Sequence, residues 1–172
     1  MAKVKYKHYI GIDNGISATL SVLDKDGQCL VFCKIPTKKT PYYTGKKHAT
    51  RIDTDQLYDL LRPYRAKAIV ICEYPMINNK LFVATQSAMR SYEALEIVLE
   101  KLDLLYSFIP SRTWQNILLP GVTGRTELKN ASRDVGIELY PEQEITIRKH
   151  RDADGLLLAR YLYDEIQREA NA

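Results

Sequence analysis

Cysteine is scarce in this chain. Cys29, Cys33 and Cys72 are odd in number and show no CxxC spacing. That excludes a disulfide framework and a cysteine zinc site, and fits small buried thiols in a reducing cytoplasm. No run of eighteen apolar residues exists, so no segment is expected to span a membrane. The opening MAKVKYKHYIG is basic but lacks an apolar h-region ahead of the first strand pattern, so a signal peptide is not expected. A Walker-type glycine loop and a Ser/His/Asp order are both missing. Acidic residues are absent from the whole stretch between Asp26 and Asp53.

Positive charge fills that last gap. Lys34, Lys38, Lys39, Lys46, Lys47 and Arg51 fall within it, with Tyr42 and Tyr43 among them. A second cluster, Arg148, Lys149, His150 and Arg151, stands directly before the last helical pattern. The net charge is only +4, so distribution says more than the total. Basic segments carrying aromatics suit a phosphate backbone and unstacked bases. A charge run is also commonly a plain solvated face; the length of the acid-free gap favours nucleic acid. With 172 residues, 45% of them apolar, the chain fits one globular domain over residues 1–172.

The stretch HYIGIDNGISATLSVLD, residues 8–24, organises the rest. A short apolar run (Tyr9, Ile10, Ile12) ends at Asp13, Asn14-Gly15 turns the chain, and Ser17, Thr19 and Ser21 then alternate with Ala18, Leu20 and Val22. This is a hairpin pattern with a carboxylate at its tip. Asp-Asn-Gly is equally ordinary turn chemistry. Residues 28–35 (QCLVFCKI) read as a third strand, completing an antiparallel meander. Residues 36–52 read as a long basic loop. Asp53, with Gln56 three residues on, opens a helix through Leu57, Leu60 and Leu61 that ends at Arg62-Pro63.

Residues 67–73 (KAIVICE) form a nearly continuous apolar run, as in a strand covered on both faces. A right-handed crossover places it parallel beside the first strand. Asp13 and Glu73 then share the carboxyl ends of neighbouring strands, where open α/β sheets build their sites. Residues 82–102 carry Met89, Tyr92, Leu95, Leu99 and Leu102 at helical spacing, a stripe for the core or for a dimer. Residues 104–109 read as a fifth strand, and Pro110-Ser111 begins a short helix with Trp114. Residues 120–124 are a loop, and residues 126–135 a helix stopped by Gly136. Residues 152–166 form an amphipathic terminal helix with Asp152 and Asp154 in its first turn. The helix dipole alone favours acids there by about 0.3–1 kcal/mol. Asp154, however, faces the apolar side, where a carboxylate is costly unless paired or metal-bound.

Three carboxylate sites therefore converge, at Asp13, at Glu73 and at Asp154 with Asp152. Hard oxygen donors without a cysteine pair suit Mg²⁺, with Mn²⁺ as a substitute. Two such ions roughly 3.5–4 Å apart are suited to phosphodiester hydrolysis.

GIDNG, then IVICEYP, then KHRDADGLLLARY, in that order over nearly the whole chain, resemble a RuvC-type Holliday-junction resolvase of the RNase H-like superfamily. KHRDADGLLLA and PSRTWQNILLPG are most similar to the phage-encoded branch. The resemblance implies an α/β RNase H-like fold with a five-stranded mixed sheet, three antiparallel strands and then parallel ones, flanked by helices. It implies a homodimer that nicks a four-way DNA junction symmetrically, in the cytoplasm (the host's, if phage-encoded). Asp13, Glu73 and Asp154 match the metal ligands, Lys129 is the candidate for the scissile phosphate, and the long helix is the candidate interface. Family members carry a further acid or histidine three residues before the final aspartate; Arg151 stands there instead. Asp152 is the expected fourth ligand and His150 the alternative, since an i−4 residue shares a helical face with Asp154. The expected DNA contacts are Lys38, Lys39, Lys46, Lys47, Arg51, Asn79, Lys80, Arg125, Arg148, Lys149, His150 and Arg151. Two rivals remain: a junction- or single-strand-binding module without metal, and an ATP-dependent phosphotransferase of the actin-like superfamily, which resembles GIDNGISAT but requires two such domains.

Overall fold

The central strand is covered on both faces, and the layers of the fold follow from its alternation. The structure is a computed structural model that describes residues 6–41, 48–78 and 80–172. β1 (His8–Ile12) and β2 (Thr19–Asp24) pair antiparallel, and β3 (Cys29–Lys34) pairs antiparallel with β2. β4 (Thr37–Pro41) and β5 (His48–Ile52) form a separate antiparallel pair with Lys38 opposite Arg51. α1 (Thr54–Leu61) leads through a 3₁₀ turn into β6 (Ala68–Glu73), and α2 (Phe82–Lys101) leads into β7 (Leu105–Ile109). α3 (Ser111–Leu118), α4 (Arg125–Leu139), α5 (Glu144–His150) and α6 (Asp154–Asn171) complete the chain. The main sheet runs β3-β2-β1-β6-β7, with β6 parallel to β1 and β7 parallel to β6. This is the mixed five-stranded sheet expected from the sequence.

Successive side chains on β1 point to opposite faces. Ile10 and Ile12 join Leu20, Val22, Val70 and Cys72 under Leu57, Leu61, Leu95 and Leu99 of α1 and α2. Tyr9 joins Leu23 and Ile71 on the other face, under Trp114, Ile147 and Leu156 to Leu158 from α3, α5 and α6. Gly11 lies on that second face. A Cβ there would stand 2.2 Å from the backbone N of Ala159, and a Cβ on Gly155 would stand 2.3 Å from the carbonyl of Thr19. The two glycines let α6 rest directly on β1 and β2, and so bring its first turn to the tip of β1.

Three local readings change, and one helix is new. Within the segment read as a basic loop, Thr37–Pro41 and His48–Ile52 are strands that pair antiparallel, so that their backbone groups satisfy one another. Gly136 does not end its helix; α4 runs on to Leu139, and Gly136 sits buried in it because a Cβ would stand 2.6 Å from Ala153 Cβ. The residues before the last helix are themselves helical, as α5. The last helix begins at Asp154, so Asp152 lies in the link between α5 and α6.

The Asp53 cap has an unusual partner arrangement. Its carboxylate accepts from the backbone N–H groups of Asp55 and Gln56 at 3.2 and 3.3 Å. Its own N–H is already bonded to the Pro36 carbonyl, so the Gln56 amide turns to the Asp53 carboxylate instead, at 3.2 Å.

Candidate metal centre

Asp13 and Glu73 meet because β1 and β6 run parallel with Ile12 opposite Cys72. One residue further on, both strands end in a carboxylate. The N–H of Asp13 still bonds the Thr19 carbonyl at 3.1 Å, so it is the last ordered rung of the β1–β2 ladder. Asn14, next in the chain, donates to the Ala88 carbonyl of α2 at 3.3 Å and ties the following loop to that helix.

Asp152 and Asp154 arrive from the opposite side. Arg151 adopts the left-handed conformation (φ 58°, ψ 28°) between α5 and α6, a shape that costs a non-glycine residue roughly 1–2 kcal/mol. The turn carries the chain back so that buried Asp152 faces the sheet. Its Oδ1 accepts from the Asp154 N–H at 2.8 Å and from Thr19 Oγ1 at 3.1 Å. Thr19 Oγ1 in turn accepts from the Gly155 N–H at 3.0 Å, so a β2 hydroxyl caps the first turn of α6. Ser132 Oγ donates to Asp154 Oδ1 at 2.5 Å. Lys129 Nζ bonds Asp152 Oδ2 and, at 2.9 Å, Asp154 Oδ2.

Asp13, Asp152 and Asp154 bring ligand oxygens within 4.8 Å of one another. Three hard oxygen donors at that spacing fit Mg²⁺ or Mn²⁺. Glu73 stands beside this trio: Ser111 Oγ bonds its Oε2 at 2.8 Å and Trp114 Nε1 its Oε1 at 2.5 Å. The electrostatics agree with a cluster short of positive charge. Burial, and then the charges of Glu73, Asp154 and Asp152, raise the Asp13 pKa well above the ordinary carboxylate value. Burial also raises Glu73, against the pull of Trp114, and raises Asp154 together with the Asp152 charge. For Lys129, burial works against the ammonium, but Asp154 and Asp152 outweigh it and hold its pKa up.

His150 is not among the clustered donors. Its ring packs edge-on against Phe32 at 5.7 Å, and burial lowers its pKa. A helical face shared by His150 and Asp154 requires one continuous helix through both, whereas α5 ends at His150 and α6 begins at Asp154.

The expected DNA contacts are spread over four places. Lys38 lies on β4 and pairs with Asp53 at 3.3 Å and Asp55 at 3.7 Å, while Lys39 and Arg51 are exposed on the hairpin. Lys80 is exposed just before α2. Arg125 begins α4, one turn before Lys129 and on the same helical face. In the last turn of α5, Arg148 pairs with Glu144 at 2.8 Å and Lys149 is exposed; Arg151 follows, also exposed. Lys46, Lys47 and Asn79 lie outside the described residues, as do Tyr42 and Tyr43. Thr19, Ser111, Trp114 and Ser132, which hold the carboxylates, had no signal in the sequence beyond their places in strands and helices.

Among the described residues, no helix is long and apolar enough to cross a membrane. No family model matches the sequence, and no curated protein matches it. The RuvC of Thermus thermophilus in complex with a Holliday junction substrate is similar in structure, with a TM-score of 0.55 and 14% identity over 94% of each chain. A second Thermus thermophilus RuvC structure gives 0.48 at 15% identity, over 94% of this chain and 95% of that one. The likeness is one of fold: this chain has the RNase H-like mixed sheet of RuvC.

Proposed function

We propose that this protein is a divalent-metal-dependent, structure-selective DNA endonuclease that resolves four-way junctions. The carrying observation is the trio Asp13, Asp152 and Asp154, with oxygens within 4.8 Å at the carboxyl end of the sheet. Its fold is that of a RuvC whose structure was determined on a Holliday junction substrate. The resemblance of its GIDNG, IVICEYP and KHRDADGLLLA motifs supports the same reading, and supports the phage-encoded branch, acting in the host cytoplasm.

In this account Asp13, Asp152 and Asp154 hold Mg²⁺ or Mn²⁺, with Glu73 completing the site. What the ion supplies when bound is Lewis-acid polarisation of a phosphodiester. The chain's own residues supply the geometry. Thr19 and Ser132 fix the Asp152 and Asp154 carboxylates, and Ser111 and Trp114 fix Glu73. The first turn of α6 adds its positive dipole end beside them. Lys129 brings an ammonium suited to a phosphate oxygen, and Arg125 extends that positive face outward along α4. Lys39, Arg51, Lys80 and Lys149 are the exposed cations placed to take the backbone of the junction arms.

Symmetric nicking requires two such sites, hence a homodimer. The exposed apolar residues Phe82, Val83, Met89 and Ile97 of α2 support that helix as the interface. The Asp13→Asn variant tests the assignment: it binds a four-way junction as the native chain does and does not cut it. Cleavage within about tenfold of native would remove Asp13 from the centre.

A further inference from the structure

The carboxylate cluster carries its own cation. Lys129 Nζ donates to Oδ2 of both Asp152 and Asp154, two of the three residues whose oxygens lie within 4.8 Å of one another. An ammonium has donors only, and here it occupies lone pairs that a divalent cation would need. Its anchorage is one-sided. The Lys129 side chain is 45% exposed, against 10% and 14% for Asp152 and Asp154. The two aspartates are further fixed by Thr19, Ser132 and the Asp154 N–H, whereas Lys129 hangs from α4 on four methylenes that reach solvent. The carboxylates are the more enclosed and more heavily bonded partners, and the ammonium is the more exposed one.

We propose that Lys129 is an intramolecular counter-ion that holds Asp152 and Asp154 in the metal-free protein and is displaced when a divalent cation binds. The inference rests on the reading of Asp13, Asp152 and Asp154 as a metal centre, and adds the competitor that sets its affinity. Four carboxyl groups (Asp13, Glu73, Asp152, Asp154) face one ammonium, so removing that ammonium leaves the cluster more strongly negative and its oxygens open. Metal affinity is therefore lower than the donor set alone would give. Once displaced, the ammonium remains tethered at the edge of the site, where it is free to meet an incoming phosphate only after the cation is in place. Lys129 thus acts as a positioning residue before it acts on any substrate.

The test is a titration without DNA. Mn²⁺ binding is measured by calorimetry on the native chain, on Lys129→Met, which keeps the apolar stem, and on Lys129→Gln, a second variant should the first fold poorly. Melting curves are recorded in EDTA and in Mn²⁺. The expected result is Mn²⁺ affinity about tenfold higher in both variants, the equivalent of one competing charge-assisted hydrogen bond no longer to be broken. The variants should melt below the native chain in EDTA and regain the difference in Mn²⁺. Equal or weaker Mn²⁺ binding by the variants, with the native chain binding normally, overturns the counter-ion role and leaves the metal centre standing. No Mn²⁺ binding by any of the three proteins overturns the metal centre itself.

Discussion

Asp13 occupies a place that disfavours its own charge. Burial and the neighbouring Glu73, Asp154 and Asp152 carboxylates all push its pKa up. A carboxyl whose pKa rises on folding binds protons more tightly in the folded state, so its contribution to stability is in place below the unfolded value. That contribution is lost as pH climbs through the raised folded value. Glu73 and Asp154 shift in the same direction. The metal-free protein should therefore lose stability as pH rises from about 4 toward neutrality, and Asp13→Asn should melt above the native chain in EDTA at pH 7.5. A gain of about 1 kcal/mol corresponds to roughly 2–4 °C at this chain length. A variant that melts lower in EDTA would contradict the electrostatic account of Asp13. Glu73 offers a second test at this scale. Trp114→Phe keeps a buried aromatic ring, smaller than the indole, and removes the N–H that holds Oε1 at 2.5 Å. Cleavage should fall by about 10–100-fold with the fold intact by circular dichroism. Unchanged cleavage would mean that Ser111 alone positions the carboxylate.

Asp13, Glu73 and Asp154 were legible in the sequence because each stands where local pattern breaks, at a strand end or on an apolar helix face; Asp152 was singled out as a ligand only through the family resemblance. The supports of these acids were not legible. Thr19 is 133 residues from Asp152, and Trp114 is 41 from Glu73. Such contacts exist only after the sheet and α6 have come together, and no local periodicity encodes them.

Among the elements, α6 shows how closely the site depends on packing. Gly11 and Gly155 allow helix and strand backbones to touch. Gly11→Ala would place a methyl against the Ala159 backbone, which cannot move aside as a side chain can. It should destabilise the protein by at least the 1–3 kcal/mol typical of overpacking, seen as a lower denaturation midpoint in urea. A midpoint within error of native would show that α6 has slack. The hairpin of β4 and β5 makes a separate point. Thr37–Pro41 (TKKTP) carries no apolar alternation, and its lysines and proline are loop-like; pairing with His48–Ile52 supplies the hydrogen bonds that the strand needs. Within it, Lys38 is committed to Asp53 and Asp55, while Lys39 and Arg51 stay exposed. Replacing Lys39 and Arg51 by Gln should reduce the slope of log K against log salt for junction binding by about 0.9 for each phosphate no longer neutralised. An unchanged slope would take the hairpin out of the interface. Gly136 is ambiguous for a related reason: a helix stop and a close helix contact look alike in sequence, and only the Ala153 methyl beside it decides between them.

At the scale of the whole molecule, strand order is what makes a site out of distant acids. The sheet β3-β2-β1-β6-β7 sets the ends of β1 and β6 side by side, and α6 closes over β1 and β2 from one face. The sequence carried this arrangement through the order of its patterns: a hairpin, a third strand, then two strand-and-helix repeats that can only cross over one way. It did not carry α5 or the left-handed turn at Arg151 that places Asp152, because both depend on contacts with the rest of the fold. Exposed cations lie on the hairpin, before α2, at the head of α4 and around the end of α5. The most direct measurement is cleavage of a synthetic four-way DNA junction beside a Y-fork and a linear duplex, each with Mg²⁺, Mn²⁺ or EDTA. The account expects paired, symmetric nicks in the junction with either metal, none in EDTA, and little cutting of linear duplex. Binding of the junction without nicks under either metal would contradict it.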